Sequence, residues 1–252
     1  MIAALPMYLF PETRDAHELF WAHVRDRLRA AGLDAPETLS HSIAPKTVWA
    51  DPNLVLSHIC NLPYRRYFRG SVTRIAGSDY GLADCAPGTY RALFVARKDH
   101  PAASPNELDG ATMAINEADS HSGWGAAALW AQARGLRFRP VISTGSHRAS
   151  IAAVASGTAD FATIDAQSFR ILRRQEGATD TLKVLGSTDQ SPGMTFITRK
   201  GENPAPYREA LSGGLAALGD RDRAILGLRG FPVLPDAAFD IPLPSAPPLP
   251  DG

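Results

Sequence analysis

Residues 111–133 constrain the fold more than any other stretch of the chain. Ala111, Thr112, Met113, Ala114 and Ile115 make a short apolar run of strand character, and residues 126–133 (Ala-Ala-Ala-Leu-Trp-Ala-Gln-Ala) are rich in strong helix formers. Between them lies only the turn Asn116-Glu-Ala-Asp-Ser-His-Ser-Gly-Trp-Gly125. A strand that feeds a helix through so short a connection is the building unit of an α/β sheet. Ser120, His121, Ser122 and Gly123 fall where the helix begins, and the first N–H groups of a helix have no intrahelical partner and sit at the positive end of its dipole. Such a turn can seat a small anion. A lone Ser in this place does no more than cap the helix. The anion reading gains weight because the chain repeats the device.

A first set of elements precedes this unit. Residues 2–8 read as a buried strand, and residues 15–31 as a helix with Ala16, Leu19, Phe20, Val24, Leu28 and Ala31 on one face and Gly32 as its stop. Residues 38–43 read as a weak strand, and Asp51-Pro52 as the cap of a short helix through Leu54, Val55 and Ile59. Residues 71–76 and 90–97 complete a β-α-β-α-β half. After the 111–133 unit come a strand near 140–143, Thr144-Gly-Ser-His147 opening a helix, a strand over 161–164, and Asp165 capping a helix over 166–174. Strands at 182–186 and 193–199, helices at 206–218 and 221–228, and a proline-rich tail over 231–250 follow. The tail is expected to have no regular structure and to lie along a lobe or stay mobile. The expected architecture is two doubly wound α/β lobes joined by two crossing segments. Residues 1–95 with 194–252 would form lobe 1, and 96–193 lobe 2.

Composition narrows the partners. The 252 residues carry 26 basic and 26 acidic side chains, so no basic face for nucleic acid or an acidic membrane is indicated. The apolar runs are too short to span a bilayer. Residues 1–10 are apolar but lack a basic leader, so the expectation is either a cytosolic chain or a periplasmic one whose leader has been removed. Cys60 and Cys85 are either two reduced thiols or, if their loops are neighbours, a disulfide.

In doubly wound sheets ligands sit outside the carboxyl ends of the strands. Three such ends fall in lobe 2, and they carry Ser120, His121 and Ser122, then Ser146 and His147, then Asp165. Converging, they would form one oxyanion site. Tyr8, Tyr64, Tyr90 and Trp124 are the aromatic candidates for a lid, with Tyr90 favoured because it lies beside a crossing segment. Asp165 would repel a bound anion unless the anion carries a proton to donate. It should therefore favour phosphate, phosphite or phosphonate, which keep a P–OH, over sulfate.

Residues 90–97 (Tyr-Arg-Ala-Leu-Phe-Val-Ala-Arg), 116–123, 144–147 and 160–165 (Asp-Phe-Ala-Thr-Ile-Asp) together resemble the phosphate-, phosphite- and phosphonate-binding proteins that serve ABC importers. The similarity runs from Met1 to about Arg199. It implies the type II periplasmic-binding-protein fold, whose lobes close over a ligand in the interlobe cleft. It also implies contact roles for Ser120, His121, Ser122, His147, Asp165 and Tyr90, delivery to a permease, a periplasmic location, a monomer, and neither cofactor nor metal. His121 stands where the family pattern has a small hydroxyl residue, and Asp189 or the Gln190-Ser191 pair is the match for its second acidic contact. A different class stays open: a cytosolic enzyme on this fold, similar to menaquinone-pathway enzymes, in which His121 or His147 works with Asp165 as acid and base.

Overall fold

The computed structural model describes residues 1–175, 177 and 179–249. In chain order the main elements are β1 (Ile2–Ala4), α1 (Arg14–Ala30), α2 (Pro45–Ala50), β2 (Leu54–Ile59) and α3 (Asn61–Pro63). Next come β3 (Val72–Gly77), β4 (Thr89–Tyr90), β5 (Ala92–Arg97), β6 (Thr112–Ile115), α4 (Ala126–Gln132), β7 (Arg139–Ser143) and α5 (His147–Ala155). The chain continues with β8 (Phe161–Asp165), α6 (Ala166–Leu172), β9 (Leu182–Ser187), β10 (Ser191–Pro192), β11 (Thr195–Arg199), α7 (Pro204–Ala217) and α8 (Asp220–Leu226). No helix among the described residues is long and apolar enough to cross a membrane.

Two compact units emerge. Unit 1 comprises Met1–Thr89 and Pro192–Asp240, and unit 2 comprises Tyr90–Ser191 and Ile241–Gly252. These boundaries differ from the expected 95/96 and 193/194 divisions. The reason is β5, which was expected to close the first lobe. It lies instead inside the second sheet, antiparallel to both β8 and β9.

In unit 1 the strand order is β1-β2-β11-β3. β1 and β2 are parallel, and β11 runs antiparallel to β2 and β3. One face of this sheet packs Ile2, Ala4, Leu54, Ile59 and Ile197 against Val48, Trp49, Tyr64, Phe68 and Phe239. Helix α1 buries Ala16, His17, Phe20, Trp21, Val24 and Leu28, and ends where Gly32 takes φ 79°. Leu19, expected on the buried stripe, is exposed.

Two further expectations for unit 1 are corrected. Residues 54–59 form a strand, not a helix. All six side chains are buried, and the β1 and β11 ladders on either side consume the backbone groups a helix would use internally. A short segment buried on both faces has no periodicity to tell the two apart. Asp51 closes a turn by accepting from Asn53 N at 2.7 Å. Residues 38–43 form no strand, although Ser40 N reaches Ala3 O at 2.8 Å on the edge of β1. Cys60 and Cys85 are not joined in a disulfide. Cys60 is buried where its carbonyl accepts from Tyr64 N (3.1 Å) to start a helical turn, and Cys85 is half-buried in a separate turn closed onto Leu82 O (3.3 Å).

Unit 2 holds a five-stranded sheet of order β7-β6-β8-β5-β9. The three strands β7, β6 and β8 are mutually parallel, so their carboxyl ends lie side by side. Phe94, Met113, Ile115, Trp124, Trp130, Phe138 and Phe161 make one continuous core with Ala127 and Leu185. Its aromatic rings meet at angled or stacked centroid distances of 4.9–6.3 Å. Residues 241–249 of the tail run without regular structure along this unit, whereas lobe 1 was expected to contain them. Residue 250, also assigned to the tail, lies outside the described residues.

Candidate functional site

Three loops leave the adjacent carboxyl ends of β6, β7 and β8, and hydrogen bonds draw the first two together. Thr144 N donates to Ile115 O and Gly145 N to Asn116 O, both at 2.8 Å, so the turn after β7 is zipped onto the end of β6. Thr144 Oγ1 and Ser150 Oγ, 2.7 Å apart, brace that turn against the first turns of α5.

The turn after β6 is a π-helical turn over His121–Gly125 that runs into α4. Ser120 is its cap. The Ser120 hydroxyl accepts from Gly123 N at 3.0 Å and keeps its own proton to donate. Gly123 is required by a close approach, because a Cβ there would collide with the side-chain oxygen of Asn116. That Asn116 oxygen is itself buried with no hydrogen-bond partner among the described residues. Asn116 was not singled out in the sequence, since nothing local shows that its carboxamide folds back over the turn.

Ser122 Oγ and His147 Nε2 are hydrogen-bonded at 2.9 Å, joining the first turn to the second. The residue is only partly covered, yet His147 Nδ1 is sealed off and has no hydrogen-bond partner among the described residues. Burial of the ring lowers its pKa to about 4, because an imidazolium there would lose its hydration with no anion to replace it. His147 is therefore neutral near pH 7.

Asp165 is almost completely buried at the end of β8 and accepts from Ser168 N at 2.8 Å, capping α6. Ala92 of β5 pairs directly opposite it, and Ala166 N donates to Arg91 O at 3.1 Å. This register sets Tyr90 at the same edge of the sheet. The Tyr90 ring lies 6.1 Å from that of His121. His121 in turn is buried, with Nε2 3.0 Å from Ser191 Oγ. Ser120, His121, Ser122, His147 and Asp165 thus lie at the carboxyl ends of neighbouring strands of one sheet, with Tyr90 against His121.

The other candidates make different contacts, Ser146 and Trp124 within the same turns and Tyr8 and Tyr64 in unit 1. Ser146 is exposed and uses its hydroxyl to cap Ala149 N at 3.1 Å. Trp124 turns its indole N–H to Ser245 O, at 2.8 Å. Tyr8 belongs to unit 1, where it is buried with φ 61° and packs edge-on against Tyr80 at 5.0 Å. Tyr64, also in unit 1, packs against Phe239 at 5.2 Å. Among the described residues no group of three His, Cys, Asp or Glu side chains is placed to hold a metal ion.

An edge with hydroxyls, a neutral imidazole and a single buried carboxylate suits a small oxyanion that brings its own proton. A family model described as "ABC transporter, phosphonate, periplasmic substrate-binding protein" matches residues 59–233. Among solved structures, PhnD1 from Prochlorococcus marinus in complex with methylphosphonate is 17% identical, with 95% of this chain and 93% of that one covered and a TM-score of 0.70. A binding-protein component of an ABC phosphonate transporter from Pseudomonas aeruginosa is 18% identical over 95% of this chain and 82% of its own, with a TM-score of 0.67. A Xanthomonas citri protein bound to chloride ion is 18% identical over 91% of each chain, with a TM-score of 0.66. No curated protein sequence matches significantly.

Proposed function

The chain belongs to the periplasmic phosphonate-binding family of ABC-transporter substrate-binding proteins, and from that premise we propose that it captures a phosphorus oxyanion at the Ser120–Ser122, His147 and Asp165 edge of unit 2. The fold is that of the periplasmic binding proteins, and the family serves transport. Delivery to a membrane permease, work in the periplasm and the choice among phosphonate, phosphite and phosphate are part of the proposal.

The observation that carries it is the Ser122–His147 hydrogen bond. It joins turns from two neighbouring parallel strands at the edge where Asp165 is buried. On binding, the pair separates, and both partners turn to the ligand. The hydroxyls of Ser120 and Ser122 donate to phosphoryl oxygens, and His147 donates from one ring nitrogen. Asp165 accepts from the P–OH. Hydrogen bonds to a charged partner contribute roughly 1.5–3 kcal/mol each, so four of them supply about 6–12 kcal/mol towards binding.

Thermal shift and calorimetry with phosphate, phosphite, methylphosphonate, 2-aminoethylphosphonate, sulfate and small carboxylates test this. At a hundred times its dissociation constant a ligand should stabilise the protein by about 2.7 kcal/mol. Ser122→Ala should remove most of that shift. A panel in which no phosphorus oxyanion stabilises the protein would overturn the proposal.

A further inference from the structure

We propose that the proline-rich segment over residues 241–249 is a strap that positions the oxyanion-binding turn, with Trp124 as the residue through which it acts. The inference rests on the ligand reading above for its effect on affinity, and on geometry alone for its effect on the turn.

His121 and Ser122 tie the first half of the turn His121–Gly125 through side-chain hydrogen bonds, and its second half depends on Trp124. Ser122, Gly123 and Gly125 offer little surface to pack, and π-helical turns are rare and marginal in geometry. Trp124, two residues beyond Ser122, is the one large apolar side chain in the turn. Its ring sinks into the aromatic core of unit 2, and its indole N–H meets the carbonyl of Ser245 at 2.8 Å. Removing that acceptor would leave a buried donor unsatisfied, which gives the turn a reason to rotate.

The strap is built to stay in place. Prolines at 242, 244, 247 and 248 hold residues 241–249 extended before any contact is made, so little conformational entropy is lost on docking. Leu249 packs against the same core as Trp124. Pro244, Ser245 and Pro248 line a groove together with Trp124, Leu136 and Phe138. All of these residues lie within unit 2. The segment lies beyond residue 233, where the family match ends.

Two full-length variants test it. Trp124→Phe keeps an aromatic ring in the core and deletes the N–H. Pro244→Gly with Pro248→Gly leaves the turn's sequence untouched and loosens the strap. Methylphosphonate affinity by calorimetry, and hydrogen exchange at the Gly123, Trp124 and Gly125 amides, are read beside the melting temperature. We expect about tenfold weaker binding and at least tenfold faster exchange at those three amides in both variants, with exchange around Ala162 and Thr163 of β8 unchanged. Wild-type affinity and wild-type exchange in both variants would overturn the strap, and so would a lower melting temperature without either change. If the wild-type protein binds no phosphorus oxyanion, the functional reading fails, and the exchange measurement alone decides the strap.

Discussion

At the scale of single residues, Asp165 separates binding from specificity. Its carboxylate is buried and caps α6 by accepting from Ser168 N. Asparagine retains that acceptor while removing the charge, so Asp165→Asn should fold normally. Sulfate, which has no proton to offer at neutral pH, should then gain on methylphosphonate by about tenfold or more, because the repulsion that rejects it is gone. Competition calorimetry with the two ions measures the ratio, and an unchanged ratio would show that Asp165 does not discriminate. His121 teaches the complementary point. Its place in the Ser-x-Ser turn was plain in the sequence, but its hydrogen bond to Ser191 and its contact with Tyr90 join positions 70 and 31 residues away, which local spacing does not reveal.

At the scale of elements, the strand–turn–helix unit from β6 to α4 was readable because each of its determinants is local: an apolar run, a serine cap and an alanine-rich helix. The necessity of Gly123 was not, since it depends on where the Asn116 side chain folds. Gly123→Ala should press a methyl group against the Asn116 oxygen and displace the turn. The expected result is about 1–3 kcal/mol of lost stability in chemical denaturation, with methylphosphonate binding reduced at least tenfold. Asn116→Ala in the same background should recover part of the stability, because it removes the atom the methyl group meets. β2 shows the opposite limit. Residues 54–59 (Leu-Val-Leu-Ser-His-Ile) carry no clear period, and only the ladders to β1 and β11 decide that they form a strand.

Across the whole molecule, three histidines, two of them buried and His147 partly covered, govern the response to acid. Burial lowers His17 to about 4, His58 to about 3 and His147 to about 4. His17 keeps one hydrogen bond, Nδ1 to Thr13 O at 2.9 Å, whereas backbone groups of Met7 and of His58 itself only partly offset the burial of the His58 ring. The unfolded chain takes up these protons as pH falls below about 6.5, and the folded chain does not. Their stabilising contribution is therefore complete above that pH and is lost as pH falls towards 4, for His58 towards 3, with at most about 1.4 kcal/mol per unit for each group. Denaturation midpoints should drop steadily from pH 7 to pH 4.5. His58→Phe, packed between Tyr8 and Phe196, should flatten that slope and raise stability most at the acid end. An equal slope in the variant would remove His58 from the account. The same scale marks the division between sequence and structure. By itself the sequence determined the α/β class, the three cap-bearing turns and the kind of ligand their chemistry suits, because helix caps and hydroxyl-rich turns are set by residues within one turn of each other. Only the tertiary structure decided that β5 belongs to the second sheet, that β7, β6 and β8 lie side by side and bring Ser122 to His147, and that the proline-rich tail lies against Trp124. Those outcomes depend on pairing and packing between residues far apart in the chain, whose relative free energies no short stretch of sequence contains.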